Sequence, residues 1–403
     1  MPRHTNVTAW LLTVAVAALW LFPPVAAAET SPGGGSNAET ERNRLSFHPS
    51  IQLSSVADSN VELAKTDTDG DLGIFIAPRA EVAYQGTWFN LGADLGVDLR
   101  RYANGDSPSD EFYRMIGKAE FGLMPGLTLT LSDAYVPTPV ELGRPLDHAE
   151  NLIQTNRSVA ELSFWRALPF EREMRITFQG TRLFGESFGT RLASGIFDPD
   201  FHADFWEGSV VGEFQAPLAG RTSGFARSQL RYRSFDDASA SDFGDIAVLV
   251  GIRSHWYRHI DFDIAAGYGL VEFDGGRSTH RFLGQANLRY RMPGGTVLRV
   301  AAVNRNTADI AGNDFIETRG GIGLERRFGE RTSASAEVFL SRFDDENWDG
   351  GANWYGGAEA MVRRQLTRRT QLALVYRYWD NAGGLSGDDF TQHRAALVFT
   401  YRR

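Results

Sequence analysis

Apolar and polar residues alternate with a period of two along most of the chain. The alternation is clearest from Thr279 to Thr307, on either side of the turn Pro293-Gly294-Gly295. Before the turn, Gly284, Ala286, Leu288, Tyr290 and Met292 share one register, and Gln285, Asn287, Arg289 and Arg291 the other. After it, Leu298, Val300 and Ala302 stand against Arg299, Ala301, Val303 and Arg305. Successive strand side chains point to opposite faces, so this segment reads as a hairpin with one apolar and one arginine-bearing face.

The same pattern predicts about 18 strands. They fall near 45–56, 72–84, 88–102, 111–123, 127–135, 156–166, 172–184, 204–216, 223–235, 245–256, 260–273, the two arms of the hairpin, 316–328, 332–343, 353–366, 370–379 and 390–403. Short turns such as Gln85-Gly86-Thr87, Pro125-Gly126 and Gly329-Glu330-Arg331 alternate with long polar connections. Outer-membrane barrels have this rhythm, with long loops outside, short periplasmic turns and an even strand count. The expected fold is all-β: a transmembrane antiparallel up-and-down β-barrel. A barrel of this size encloses an aqueous channel. Aromatic residues cluster near strand ends (Trp88, Phe89, Tyr102, Phe112, Tyr113, Trp165, Phe205, Trp206, Trp256, Tyr257, Trp354, Tyr355, Tyr378, Trp379), the pattern of interfacial girdles.

The N-terminus departs from this pattern. Arg3 and His4 precede an apolar run, Thr8 to Phe22, and Ala26-Ala27-Ala28 supplies small residues for cleavage. Residues 1–28 therefore read as a Sec-type signal peptide, residues 29–43 as a flexible Gly/Ser/Glu linker, and residues 44–403 as the barrel, placed in the bacterial outer membrane. The 403 residues include no Cys, so stability must come from strand pairing and closure rather than disulfides. A formal charge of -9 argues against nucleic-acid binding. Hydrophobic residues make up only 42%, as expected where every second strand residue faces lipid.

Two stretches carry a family resemblance. FHPSIQLSSVADSNVEL, with Asp58-Ser59-Asn60 after the first strand, and VPTPVELGRPLDHAENLIQTNRSVAEL, around the fifth and sixth strands, resemble the β-barrel porin type 2 family of Gram-negative outer-membrane proteins. The resemblance covers most of the mature chain. It implies an association with exopolysaccharide synthesis and export, and a periplasmic polysaccharide-export component as a partner. It carries no catalytic residues. The chain departs from the usual barrel-assembly signal in that Tyr401 is followed by Arg402-Arg403.

The polar faces supply the candidate chemistry. Arg227, Arg231, Arg233, Arg289, Arg291, Arg299 and Arg377 are expected to line the pore, with Arg100, Arg114, Arg175 and Arg363 on the same faces. Arginine presents a rigid, permanently charged fork suited to carboxylates, phosphates and sulfates. A ladder of Arg227 and Arg231 with Arg289 and Arg291 would favour anions. The same faces carry Asp94, Asp98, Glu120, Glu161, Glu213, Glu325, Glu337 and Glu359, and pairing with these would give a merely polar wall. The long connection 136–155 is the third outer loop, with Glu141, Arg144, Asp147, His148 and Glu150 as candidates for a constriction.

No metal-ligand spacing, G-x-S-x-G elbow or Walker loop occurs, so neither an enzyme nor a cofactor is expected. Ser278-Thr279-His280 sits at a loop–strand junction, where such residues are common. Outer-membrane lipids, lipopolysaccharide and the barrel-assembly machinery are the expected partners. The functional expectation is a porin-like channel, with exopolysaccharide export first. A general diffusion porin for small solutes and a non-conducting structural or surface-interaction barrel are the alternatives.

Overall fold

The computed structural model describes residues 44–60, 70–103, 111–139, 152–186, 204–236, 242–256, 259–274, 278–308, 314–345, 352–382 and 390–403. The expected signal peptide, linker and constriction residues Glu141, Arg144, Asp147, His148 and Glu150 lie outside them. Eighteen antiparallel strands form one sheet closed on itself. In order they are β1 Arg44–Asp58, β2 Asp71–Gln85, β3 Phe89–Tyr102, β4 Glu111–Met124, β5 Leu127–Pro139, β6 Leu152–Leu168, β7 Arg172–Glu186, β8 Phe205–Ala219 and β9 Thr222–Phe235. β10 Phe243–Trp256, β11 Ile260–Phe273, β12 Ser278–Arg291, β13 Thr296–Ala308, β14 Asp314–Phe328, β15 Thr332–Asp345, β16 Ala352–Gln365, β17 Thr370–Ala382 and β18 Phe390–Arg402 complete the circuit.

Each strand pairs with its sequence neighbours, and β18 pairs with β1, so every strand has two partners. Lipid requires this closure, because an unpaired backbone group in hydrocarbon costs several kcal/mol. Short turns gather at one end and long connections at the other. Gly126 and Gly294 hold positive φ (81° and 85°) in two of the short turns. At Gly126 a Cβ would stand 2.1 Å from the Trp165 carbonyl oxygen, so only glycine fits.

Parity sorts side chains into two walls. One face presents Ile74, Met115, Phe178, Val250, Phe282 and Val338, each at least half exposed. Such a surface is tolerable only against hydrocarbon, and the opposite face carries the charged residues. The predicted strands are all present, but several extend further at the outer end. The connection expected at 136–155 is shorter: Val136 to Pro139 pair with Thr155 to Leu152 as strand. Pro137 and Pro139 break the sequence pattern there, yet proline is tolerated near a strand end. The girdle assignment also needs correction. Phe112, Phe205 and Tyr355 are buried on the inward face (8%, 5% and 8% exposed). Trp88, Trp206, Trp256 and Trp354 are exposed, and the last three belong to the outward face.

The seam between first and last strands pairs Ser50 through Asp58 with Arg402 through Arg394. A buried network holds its outer end. Gln392 Nε2 donates to both Asp58 carboxylate oxygens (2.9 and 2.8 Å). The Asn60 amide donates to Asp58 Oδ1 (3.0 Å), and Asn60 Nδ2 to the Thr391 carbonyl (3.1 Å). The His393 amide donates to Ser59 Oγ (2.8 Å), and the Ser59 amide to the His393 carbonyl (2.9 Å). The Asp58-Ser59-Asn60 motif thus clasps the barrel.

Candidate functional site: the inner wall

The inward face of β8 to β11 is an arginine–carboxylate lattice. Arg227 donates to Glu213 through Nε and Nη2 (2.9 and 2.6 Å). Arg233 donates to Glu207 in the same way (2.9 and 2.7 Å). Arg231 pairs with Asp245, its Nε at 2.7 Å from Oδ2. Arg253 donates to Asp263 (2.9 Å) and to the Gln215 side-chain oxygen (3.1 Å). Phenyl rings cover part of this lattice: the Arg233 guanidinium lies 4.1 Å from the Phe205 ring centroid and also faces Phe235 and Phe243. Asp245 and Arg233 are buried (4% and 8% exposed). Charges so paired and covered act as structure. They have few free directions in which to meet a solute.

β12 to β14 differ. Arg289 stands directly opposite Arg299 in the β12–β13 register. Arg299 is paired with Glu325 (2.7 Å) and Arg291 with Asp261 (2.7 Å). Among the described residues Arg289 has no ion-pair partner. Like charges facing each other across a ladder cost stability, so this doublet leaves positive charge exposed to the lumen. The expected ladder of Arg227 and Arg231 with Arg289 and Arg291 does not form across adjacent strands, because β10 and β11 lie between β9 and β12.

A third cluster spans the seam. Arg377 on β17 is the direct register partner of Arg394 on β18. Two strands further, Phe75 on β2 pairs with Arg100 on β3. The Phe75 ring lies between the two guanidinium groups, 5.4 Å from that of Arg394 and 5.5 Å from that of Arg100. Phe112 supports Arg100 from the other side at 4.9 Å. Arg377 is held by Glu359 (2.7 Å), and Arg394 is paired with Asp58 (4.0 Å). These three arginines, with Gln52, Ser54 and Asp98, line a hollow of about 240 Å³ in the inner wall. The aromatic supports fix the guanidinium planes, and the amide and hydroxyl add neutral hydrogen-bonding groups. Arg100 and Arg394 are themselves buried (8% and 6% exposed), so a small anion would meet them by charge-assisted hydrogen bonds only from within the hollow.

Sequence reading found Arg377 and Arg100 but not Arg394. The signal was present: Arg394 occupies the polar register of the last strand, opposite His393, Ala395 and Leu397. Its value depends on closure, which alone brings β18 beside β1 and within reach of β3.

No protein-family model matches the chain, and no curated protein matches it. Solved structures do. Pseudomonas aeruginosa OccK7 (OpdD) superposes with a TM-score of 0.53 at 12% identity, covering 89% of this chain and 98% of that one. P. aeruginosa OccK2 (OpdF) in complex with glucuronate gives 0.52 at 9%, covering 89% and 96%. The outer-membrane protein OpdK of the same species, with vanillate, gives 0.50 at 10%, covering 89% and 99%. The likeness establishes the fold of an 18-stranded outer-membrane porin.

Proposed function

We propose that this protein is a passive outer-membrane channel for small solutes, and that the hollow formed by Arg100, Arg377 and Arg394 gives it a preference for small carboxylates. The observation that carries the reading is the convergence of three guanidinium groups from β3, β17 and β18 on one recess of the inner wall. A general wall of paired charges would pass ions of both signs, and an aromatic-supported arginine cluster biases passage toward anions. The carboxylates bound by two of the structural neighbours make this class the first to assay. Those solutes are small, which favours diffusion over exit of an exopolysaccharide polymer.

Mature protein in a planar bilayer under a potassium chloride gradient tests the proposal. The expected result is an open channel with a reversal potential on the anion side, whose current glucuronate reduces at millimolar concentration. A folded barrel that never conducts would overturn the channel reading. Conduction with cation preference and no glucuronate effect would overturn the carboxylate preference. Loss of secreted polysaccharide on deletion, with no carboxylate effect, would favour export.

A further inference from the structure

The short-turn end of the barrel, periplasmic by the rule for such barrels, carries its charge unevenly. From the inner end of β14 to the end of β18, the stretches 326–331, 363–369 and 402–403 hold nine arginines and one acid, Glu330. All nine arginines are exposed, and among the described residues none has an ion-pair partner. On the other side of the rim, at the β6–β7 turn, Arg166 and Arg172 share the edge with Glu171 and Glu173. Backbone contacts fix the arginine-bearing turns beside one another. The Gln365 amide donates to the Arg331 carbonyl (2.7 Å), and the Arg402 amide to the Arg369 carbonyl (2.8 Å). Thr367 Oγ1 accepts from the Arg369 and Thr370 amides (3.1 Å each) and holds the β16–β17 turn.

Two of the nine belong to the outward wall. Arg326 shares its parity with Ile322, Leu324 and Phe328, and Arg364 with Val362, all of them exposed apolar side chains. The Arg326 guanidinium lies over the Phe328 ring, 5.1 Å from its centroid. The two arginines flank β15, where their register partners are Ala334 and Thr332. Those side chains are too short to screen one guanidinium from the other. Neighbouring strands lie about 4.8 Å apart, so β14 and β16 are about 10 Å apart and both long side chains can reach one phosphate between them. Ile322, Leu324 and Val362 continue the band that faces hydrocarbon, and the short turns lie on the other side. Arg326 and Arg364 therefore stand where that band ends, at the level of headgroup phosphates.

We propose that this rim binds an anionic glycerophospholipid of the periplasmic leaflet, with its phosphodiester between Arg326 and Arg364 and an acyl chain along Leu324 and Val362. Arg331, Arg368 and Arg369 in the adjoining turns add to the positive field that draws the headgroup in. Guanidinium forks match phosphate oxygens, and like charges crowded on one rim repel until an anion sits among them. The apolar neighbours separate a lipid from a dissolved anion, since free phosphate gains nothing from Leu324 and Val362. The scarcity of acids separates anionic from zwitterionic lipids, because an ammonium headgroup would find Glu330 alone. The site is independent of what crosses the lumen.

The test places the full mature barrel in nanodiscs of equal phosphatidylglycerol and phosphatidylethanolamine, and reads retained lipid by native mass spectrometry. The expected result is phosphatidylglycerol retained in preference to phosphatidylethanolamine. Its occupancy should fall at least about fivefold in Arg326→Gln with Arg364→Gln, and stay unchanged in Arg166→Gln with Arg172→Gln on the mixed-charge side of the rim. Inorganic phosphate at matched ionic strength should not displace it. Phosphatidylglycerol with a photoreactive acyl chain should label the native barrel around Val362 more strongly than around exposed Phe214 on the opposite wall; this comparison stands even where a variant folds poorly. Equal retention of the two lipids, unchanged occupancy in the first double variant, an equal fall in the second, displacement by inorganic phosphate, or equal labelling at the two positions would each overturn the proposal.

Discussion

The inner wall at β8–β10 and the inner wall around the seam use the same residue, arginine, to opposite ends. In the first, Arg227, Arg231 and Arg233 each face a carboxylate across the ladder and are partly roofed by phenyl rings. In the second, Arg377 and Arg394 face each other while each also meets an acid, Glu359 and Asp58, and Arg100 is held between two aromatic rings. A guanidinium opposite a carboxylate is already satisfied, and its energy goes into the wall. A guanidinium held by ring faces has its plane fixed by them. Arginine content alone therefore says little about selectivity; the cross-strand neighbour decides.

The largest effect should come from breaking a satisfied pair. Arg231→Ala leaves Asp245 buried without its partner, and a cost of about 3–5 kcal/mol is expected. Unfolding in urea, followed by the loss of heat-modifiable migration on gels, measures it. Arg231→Met with Asp245→Leu removes both charges and should recover most of that loss; failure to recover would mean that the lattice stabilises by more than pairing. Next in size, Arg394→Ala should lower the unfolding midpoint, because buried Asp58 loses its cation, and weaken glucuronate block about tenfold, the equivalent of one charge-assisted hydrogen bond. An equal effect from Arg227→Ala on block would erase the contrast between the two walls. Smaller still, Gln392→Ala removes the two donations to Asp58 and should cost about 1–3 kcal/mol, read in the same urea titration.

The smallest expected effect concerns pH at the outer rim. The hydrogen bond from Arg182 holds the Asp236 carboxyl below the usual carboxylate range. A depressed folded value means that its stabilising contribution is present above the unfolded value near ~3.9 and is lost as pH falls through the folded one. Acidification from neutral pH should therefore leave the Arg182 pairing intact until below about pH 4. Because Arg182 lies over the Trp206 ring at 5.1 Å, the fluorescence of Trp206 should report the release, and Asp236→Asn should abolish that change.

Alternation made the strands and their two faces legible in the sequence, because lipid on one side and water on the other impose the same period on every strand. Lengths were less legible at the outer ends, where loop-like composition hides continued pairing, as at Val136 to Pro139. Girdle and inward aromatics look alike in sequence, so Phe205 and Tyr355 were misplaced; a shift of one residue in parity separates the two roles. The arginine faces and the acids that share them were legible, but which arginine meets which acid was not. Whether Arg227 meets Glu213, or Arg289 meets Arg299, depends on register across a turn. The seam cluster was the least legible, since its members come from opposite ends of the chain.

The clasp at the seam also sets an order of events. Asp58 and Gln392 are separated by 334 residues, so the buried network cannot exist until the last strand has been made and delivered. Local hairpins have no such requirement and can pair as soon as both arms emerge. A contact spanning nearly the whole chain carries the greatest loop-closure entropy and forms late. Asp58, Ser59 and Asn60 therefore report completion: slow, chain-length-dependent burial of this network would mark the instant at which an open, edge-exposed sheet becomes a finished barrel.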